Sequence, residues 1–313
     1  MSNDVVKFRS AGVYFEHLLN LGGKKLTKIA IVTDSTAYLP QNVCEKLHIM
    51  VAPISVGFGA QQYRERIDIT DAEFYKRLKS EKNFPTTAPP SMGAMNDIYQ
   101  ALAKKGYDEV VSIHLASGVS GFVNNLHQFA ESVSKIKVHV VDSQLSVQPM
   151  GYLVVQAAKM ALAQKSATEI IAKMTELKAT LGEYFIVDDL KNLVHGGRLG
   201  SGSAFVGSLL KVKPILTLNK ERYNIEAVDK VRSMKKAKLN IVNRFIEETK
   251  DLSYNVRVFL SGTDNEPVVE KWRESIQSKL SNVAAIETGQ IGPVLGAHLG
   301  PGALAILWVK EVN

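Results

Sequence analysis

The amino-acid sequence predicts an α/β fold with two domains, in which an open parallel sheet forms the N-terminal domain and a second α/β unit forms the C-terminal domain. Two observations lead to this fold class. The chain has 313 residues, whereas a single core seldom grows beyond ~250–300 residues. Short apolar runs that end in turn residues alternate with helical stretches, which is typical of right-handed β-α-β crossovers.

The N-terminal strands are predicted in three short apolar runs, at residues 29–32, 110–115 and 138–141. Continuous apolar runs between turn residues indicate strands that are buried on both faces, as in a parallel sheet. Helices are predicted after these strands, over residues 39–48, 122–134 and 148–164. Residues 51–84 break the order with glycines, a proline and short alternating segments, and these features indicate a small β-excursion.

The chain is divided by these patterns into three parts. Residues 1–26 are set apart as a leader or extension, residues 27–180 form the N-terminal domain, and residues 181–313 form the C-terminal domain. Within the last part, strands are predicted near 184–187, 214–218, 256–261 and 303–309. Helices are predicted near 235–250 and 266–280.

Composition and charge narrow the class of protein. Lys and Arg number 38 and Asp and Glu 31, so the net charge of +7 favours an anionic partner only weakly. The single cysteine, Cys44, excludes an intramolecular disulfide and a CxxC site. The longest apolar stretch, residues 150–162, is interrupted and too short for a membrane span. Without a secretory signal at the first residues, we expect a cytoplasmic protein with no stable membrane insertion.

Hydroxyl-rich turns follow the three predicted N-terminal strands, at residues 34–36, 117–121 and 142–143. The carboxyl ends of parallel strands share one edge of a sheet, where ligands bind. Glycine lets backbone N–H groups approach a ligand and hydroxyls add donors, so these turns suit a carboxylate or a phosphate. For any one such turn, helix capping is the favoured interpretation. The occurrence of three together favours a shared ligand site.

Three further segments carry candidate residues. The proline-rich stretch 85–93 indicates a stiff loop in which Ser91 caps the next helix. Arg198 stands between glycines, and both a contact with a partner or phosphate and an ordinary exposed arginine remain open. His298 stands in the glycine- and proline-rich stretch 291–302, which we predict to be a shaped loop, and a ligand role is favoured over a place in the core.

The sequence contains no HExxH, GxSxG or P-loop motif and no cluster with metal-ligand spacing, so neither a metal nor a cofactor is expected. Many oxyanion donors without a base–nucleophile pair favour a binding protein over an enzyme. Two alternatives stay open. One is a serine hydrolase of acyl esters or thioesters that uses Ser117 or Ser120 with His298. The other is an interaction protein that binds through the basic run 230–238. Since this run lacks aromatic side chains, no nucleic-acid partner is expected.

Seven short motifs, taken in order, resemble the DegV family. They are Thr33–Ala37, Pro85–Ser91, Ser117–Gly121, Val141–Ser143, Gly196–Arg198, Lys213–Leu216 and Gly292–His298. The resemblance covers about residues 28–310. It implies a two-domain DegV-like fold that holds one long-chain fatty acid in a tunnel, as the fatty-acid-binding subunit of a bacterial fatty acid kinase. A separate ATP-using subunit would phosphorylate the carboxylate, and the acyl phosphate would enter phospholipid synthesis.

The resemblance also implies roles for individual residues. By similarity, Thr87, Ser117, the backbone of Gly118 and His298 bind the carboxylate, and Arg198 takes part in docking the kinase. Apolar residues near these motifs are candidates for the tunnel wall, although a place in the plain core is an equal alternative: Ile54, Phe58, Phe205, Leu209 and Leu295. The sequence departs from the family pattern at Ala88, Pro89, Ala116 and Phe122.

Overall fold

The computed structural model describes residues 27–199, 212–221, 223–264 and 266–312. Its strands are β1 (Ile29–Asp34), β2 (Ile49–Ala52), β3 (Ser55–Phe58), β4 (Gln61–Arg64), β5 (Thr86–Ala88), β6 (Glu109–His114), β7 (Lys137–Asp142), β8 (Gly182–Ile186), β9 (Lys213–Leu218), β10 (Ile225–Val231), β11 (Val256–Thr263), β12 (Val283–Ile291) and β13 (Leu304–Lys310). The leader at 1–26 and the tunnel candidates Phe205 and Leu209 lie outside the described residues.

The helices of the described residues are α1 (Gln41–Lys46), α2 (Asp71–Ser80), α3 (Met92–Lys104), α4 (Phe122–Ala130), α5 (Val147–Leu162), α6 (Ala167–Lys178), α7 (Lys191–His195), α8 (Met234–Thr249), α9 (Glu266–Ile276) and α10 (Pro293–Leu299). Together with the strands they form the α/β fold that the sequence predicts. In this part of the chain, no helix combines the length and the apolar character needed to cross a bilayer.

The first sheet is parallel, with the strand order β2-β1-β6-β7 in the described residues. Strand β1 lies inside this sheet, and all six of its residues are buried. This burial explains why the strand is a continuous apolar run rather than an alternating pattern. The carboxyl ends of β1, β6 and β7 share one edge, as predicted from the sequence.

The second sheet is mixed, with the order β10-β9-β8-β13-β11-β12. Strand β8 lies between β9 and β13 and pairs antiparallel with both. Its residues alternate between buried and half-buried, so one face packs on the core under α8 while the other faces the first sheet. The strands of the first sheet precede residue 143 and those of the second follow residue 181. The domain boundary near residue 180 stays a prediction from the sequence.

The predicted β-excursion contains more than strands. Strands β3 and β4 pair antiparallel and β5 joins β3, which gives the order β4-β3-β5. Helix α2 occupies residues 71–80 of the same stretch and begins with a capping box between Thr70 and Glu73. Ser91 accepts a hydrogen bond from the N–H of Ala94 and caps α3, as expected.

One segment differs in kind from its prediction. Residues 293–299 form the helix α10, whereas the sequence predicted a shaped loop over 291–302. Pro293 is compatible with the first helical turn, where no intrahelical N–H bond is lost. Val294 and Ala297 are buried and drive the packing of the helix. Strands β10 and β12 were not predicted either, because each has only one buried residue. Helix α6 was missed although its buried residues recur at helical spacing, at positions 167, 170, 174 and 177.

Candidate functional site

A mostly apolar cavity lies between the carboxyl edge of the first sheet and the inner face of the second. The volume of the cavity is about 120 Å³, whereas a single water needs only ~10–15 Å³. Apolar side chains from both sheets and from α10 form most of the wall, among them Ile54, Leu115, Leu145, Phe185, Leu295 and Leu307. The cavity therefore suits a predominantly apolar ligand.

Thr87 and His298 meet in the wall of this cavity, although 211 residues separate them in the chain. Thr87 is the middle residue of β5 and pairs with Val56 of β3. His298 lies in the last turn of α10. The distance between Thr87 Oγ1 and His298 Nε2 is 2.9 Å. The two residues thus form a hydrogen-bonded pair that faces an apolar space.

The proton of the imidazole can be assigned from its two nitrogens. His298 Nδ1 is buried and has no hydrogen-bond partner in the described part of the chain. Buried N–H groups without an acceptor are rarer than buried acceptors without a donor, so we assign the proton to Nε2, which then donates to Thr87 Oγ1. Because this bond uses a lone pair of the hydroxyl, the Thr87 O–H remains available to an oxygen atom in the cavity.

Burial is the main reason that the pKa of His298 is lowered to about 4, and the positive charge of Arg198 adds to the effect. The imidazole is therefore neutral at neutral pH, and it acts as a dipolar donor rather than as a cation. Arg198 also lines the cavity and supplies the positive charge there. Its Nε donates to the carbonyl of Val119 (3.2 Å), and its Nη1 donates to the carbonyl of Gly196.

Three side chains fix the position of α10, and through it the position of His298. Tyr75 donates to the carbonyl just before the helix (2.6 Å). Glu65 accepts the N–H of the first turn at Val294 (2.8 Å). Asn192 donates to a carbonyl in the last turn (3.0 Å). A helix of seven residues is marginal alone, so these contacts are what hold the imidazole beside Thr87.

The hydroxyl-rich turns mostly satisfy their own backbone. One oxygen of Asp34 accepts from the N–H of Thr36, and the other accepts from the N–H of Leu115 and contacts His114. Asp142 accepts from the N–H groups of Ser117 and Gln144. Asp34 caps the short 3₁₀ turn at residues 35–37, but the helices α1, α4 and α5 begin without a side-chain cap. The two aspartates therefore tie neighbouring turns together, and helix capping accounts for only a small part of their contacts.

Only part of the turn at 117–121 reaches the cavity. Val119 and Ser120 line it, whereas Ser117 and Gly118 are half-buried and do not. Ser120 Oγ accepts a hydrogen bond from the N–H of Phe122 (3.3 Å). The structure therefore brings Thr87, Ser120, Arg198 and His298 to one cavity and leaves the predicted pair Ser117 and Gly118 beside it.

The apolar candidates divide in the same way. Ile54 and Leu295 line the cavity. Phe58 does not: it is buried in a separate small cluster under α2, with its ring 5.6 Å from that of Phe74. Strand β3 turns Phe58 toward α2, so its place is in the core. The basic run at 230–238 contributes no residue to the wall.

Two polar residues of the wall were missed from the sequence. Ser146 precedes α5, and Glu183 belongs to β8. The alternation in β8 places Glu183 on the same face as Phe185, so a carboxyl group on a face with apolar neighbours was the available signal. Among the described residues, no group of three or more His, Cys, Asp or Glu side chains is arranged to hold a metal ion.

These features define a class: an α/β protein with an apolar cavity, a threonine–histidine pair and one guanidinium in its wall. Comparison with known proteins is consistent with this class and narrows it. The family model described as "Uncharacterised protein, DegV family" matches residues 28–311. The chain belongs to the DegV family.

The match with individual relatives extends over nearly their whole length. A DegV domain-containing protein of Listeria innocua is 41% identical over 281 residues, which are 90% of this chain and 98% of the relative. The crystal structure of DegV from Bacillus subtilis, described as a fatty acid binding protein, matches with a TM-score of 0.83 and a sequence identity of 37%. The match covers 91% of this chain and 100% of that one. A fatty acid binding DegV family protein from Streptococcus agalactiae matches with a TM-score of 0.84 and a sequence identity of 29%, again over 91% of this chain and 100% of that one.

Proposed function

We propose that this protein binds one long-chain fatty acid, with the acyl chain in the apolar cavity and the carboxylate at the pair formed by Thr87 and His298. The observation that carries the proposal is a hydrogen-bonded polar pair in the wall of an otherwise apolar cavity. The fatty acid binding of the structural relatives from Bacillus subtilis and Streptococcus agalactiae supports it.

The affinity in this proposal comes from the acyl chain. Each methylene that leaves water contributes about 0.8 kcal/mol, so ten buried methylenes contribute about 8 kcal/mol before the costs of association. A wall made mainly of Leu, Ile, Val and Phe side chains offers such a chain apolar contacts along most of its length.

The orientation comes from the polar groups. Thr87 donates its hydroxyl hydrogen to a carboxylate oxygen, because His298 already donates to Thr87. Arg198 supplies the countercharge that a carboxylate needs in a cavity of low polarity. Ser117 and Gly118 stay part of the proposal by family resemblance, but Ser120 is the serine of this turn that lines the cavity.

We further propose that the bound carboxylate is presented to a separate ATP-dependent kinase subunit, which forms an acyl phosphate for phospholipid synthesis. In this role the protein is a cytoplasmic carrier and not itself the enzyme. Arg198 would take part in docking the kinase by family resemblance. Its place in the cavity wall supports the countercharge role as well, and the two roles can be separated by experiment.

The geometry argues against a serine hydrolase. Within the described residues, His298 has neither a serine nor a carboxylate as hydrogen-bond partner. A histidine whose pKa is about 4 is also a weak general base near neutral pH. Burst release of an acyl group with a covalent serine adduct would nevertheless establish that activity.

Mass spectrometry of solvent extracts tests the binding proposal. Protein produced in bacteria should carry close to one fatty acid per chain. Thr87→Val, which keeps the shape and removes the hydroxyl, should weaken binding of added oleic acid about tenfold, because a charge-assisted hydrogen bond is lost. Thr86→Val is the matched control, since Thr86 lies next to it on β5 and does not line the cavity. An empty protein that also refuses added oleic acid would contradict the proposal.

The kinase step has its own test. Loaded protein, ATP and a fatty acid kinase subunit should release ADP only when all three are present. If Arg198→Ala lowers oleic acid affinity but not the rate at saturating oleic acid, the guanidinium acts as countercharge. The opposite result assigns it to docking, and ADP release that does not need this protein contradicts the carrier role.

A further inference from the structure

Glu183 places a carboxyl group in the wall that should hold the acyl chain. The residue belongs to β8, in the interior of the second sheet. Across the sheet it pairs with Leu307 on β13, and on the other side it lies beside Leu218 on β9, which pairs with Ile225. All four residues line the cavity. Glu183 is thus the polar member of an apolar row.

Among the described residues, hydrogen bonds reach only one oxygen of this carboxyl group. Glu183 Oε1 accepts hydrogen bonds from the N–H of Leu218 (2.7 Å) and from Thr217 Oγ1 (2.8 Å). No group in the described part of the chain donates to Oε2. Replacing the residue by an apolar one would complete the row of the wall, so the second oxygen is a polar group for which the fold itself has no use.

Glu183 also stands between two spaces. Besides the apolar cavity, it lines a second and more polar groove, together with Lys178, Tyr223 and Glu248. Burial is the main reason that its pKa is raised to about 7. A carboxyl group of this kind is partly protonated near neutral pH and can both donate and accept a hydrogen bond.

We infer that Glu183 is a specificity-determining residue of the cavity, which selects an acyl chain with a hydroxyl group at the depth of Glu183 over an unsubstituted chain of the same length. This inference rests on the proposed function, because it assumes that the cavity holds an acyl chain. The ligand class that it names is the hydroxylated long-chain fatty acid.

The selection follows from the cost of covering a polar atom. A methylene group placed against Oε2 removes its contact with water and offers no hydrogen bond in return. A hydroxyl group at the same depth replaces the water and satisfies the oxygen. In an otherwise apolar wall a buried hydroxyl is unfavourable, so a preference for one position along the chain requires a polar partner at that position.

A binding series with stearic acid and its monohydroxy isomers tests the inference. The preference for a hydroxy isomer is the Kd of stearic acid divided by the Kd of that isomer. For one isomer, this ratio should be about tenfold larger in the wild type than in Glu183→Met. Glu183→Gln keeps hydrogen-bonding groups at this site and should keep the preference. Thr217→Val removes a donor to the same carboxyl group without touching the cavity wall, and it should also keep the preference.

The outcomes separate this inference from the proposed function. Equal ratios in the wild type and Glu183→Met, with stearic acid still bound, would overturn the role of Glu183 alone. A wild type that binds every hydroxy isomer more weakly than stearic acid would overturn it as well, even where Glu183→Met does not fold. A wild type that binds none of these acids would overturn the proposed function itself.

Discussion

Gly196 offers a way to displace His298 without changing a single polar group. The residue follows α7 directly and has right-handed helical backbone angles, φ −72° and ψ −8°, which alanine adopts freely. An added Cβ would meet His298 Nδ1 and would lie 3.1 Å from the carbonyl oxygen of Asn192. Because the backbone oxygen cannot move away easily, the imidazole has to move.

The size of the effect follows from the overlap. Relative to ordinary contact at 3.4 Å, the new Cβ would overlap Nδ1 by about 1 Å. A displacement of that size takes Nε2 out of hydrogen-bond range of Thr87 Oγ1, which now lies 2.9 Å away. Without the imidazole donor, the Thr87 hydroxyl is no longer held with its hydrogen toward the carboxylate, which weakens a charge-assisted hydrogen bond to the ligand worth about 1.5–3 kcal/mol. We therefore expect Gly196→Ala to bind oleic acid about tenfold more weakly.

Displacement of a fluorescent fatty acid by oleic acid measures this change, and thermal unfolding verifies that the variant is folded. Gly197→Ala is the control. Its φ of +65° makes alanine unfavourable by about 1–2 kcal/mol, but no atom lies within 4 Å of the added Cβ. It should lose stability and keep its affinity. Equal affinities of Gly196→Ala and the wild type would refute the reasoning that the position of His298 controls binding.

Two further predictions concern stability. The pKa of His298 is lowered to about 4 in the folded state, so below pH 6.5 the unfolded chain binds this proton and the folded one does not. The contribution of the neutral His298 to the free energy of unfolding should be complete above pH 6.5 and should fall by about 2–3 kcal/mol toward pH 4. The free energy of unfolding by denaturant is measured against pH for the ligand-free wild type and for His298→Asn, and the difference between the two curves gives the contribution of His298. Parallel curves would contradict this prediction. Gly182→Ala should cost about 1–3 kcal/mol, because its Cβ would collide with the ring of Trp308. Gly121→Ala, with open space around it, should not.

The N-terminal sheet was predictable mainly because its two inner strands, β1 and β6, are buried at nearly every position. Each contains a short apolar run that ends in turn residues, and such runs indicate buried strands. Strand β7 lies at the edge of the sheet and is mostly half-buried, but three valines in residues 138–141 mark it in the sequence. Strand β12 has few buried residues, because it lies at the edge of the second sheet. A strand held mainly by pairing with one neighbour carries little periodic signal, and the sequence did not predict it.

The candidate site was predictable only as far as its residues belong to motifs. Arg198 and His298 were singled out from their glycine-rich segments and Thr87 from its resemblance to a family motif, and all three line the cavity. The helix that carries His298 was predicted as a loop, because its glycines and proline are unfavourable for an isolated helix. Tertiary contacts from Tyr75, Glu65 and Asn192 hold it, and contacts of this kind leave no local pattern in a sequence.

The surroundings of His298 explain why a neutral histidine suits this cavity. A protonated imidazole would be a second cation beside Arg198 in a largely apolar space, and burial makes that state unfavourable. With the imidazole neutral, Nε2–H fixes the Thr87 hydroxyl, and among the described lining residues the positive charge comes from a guanidinium held by the carbonyls of Val119 and Gly196. Donor direction and countercharge are thus assigned to different residues. In the proposed binding mode, Thr87 would orient the carboxylate and Arg198 would neutralise it, while the apolar wall would supply the binding energy.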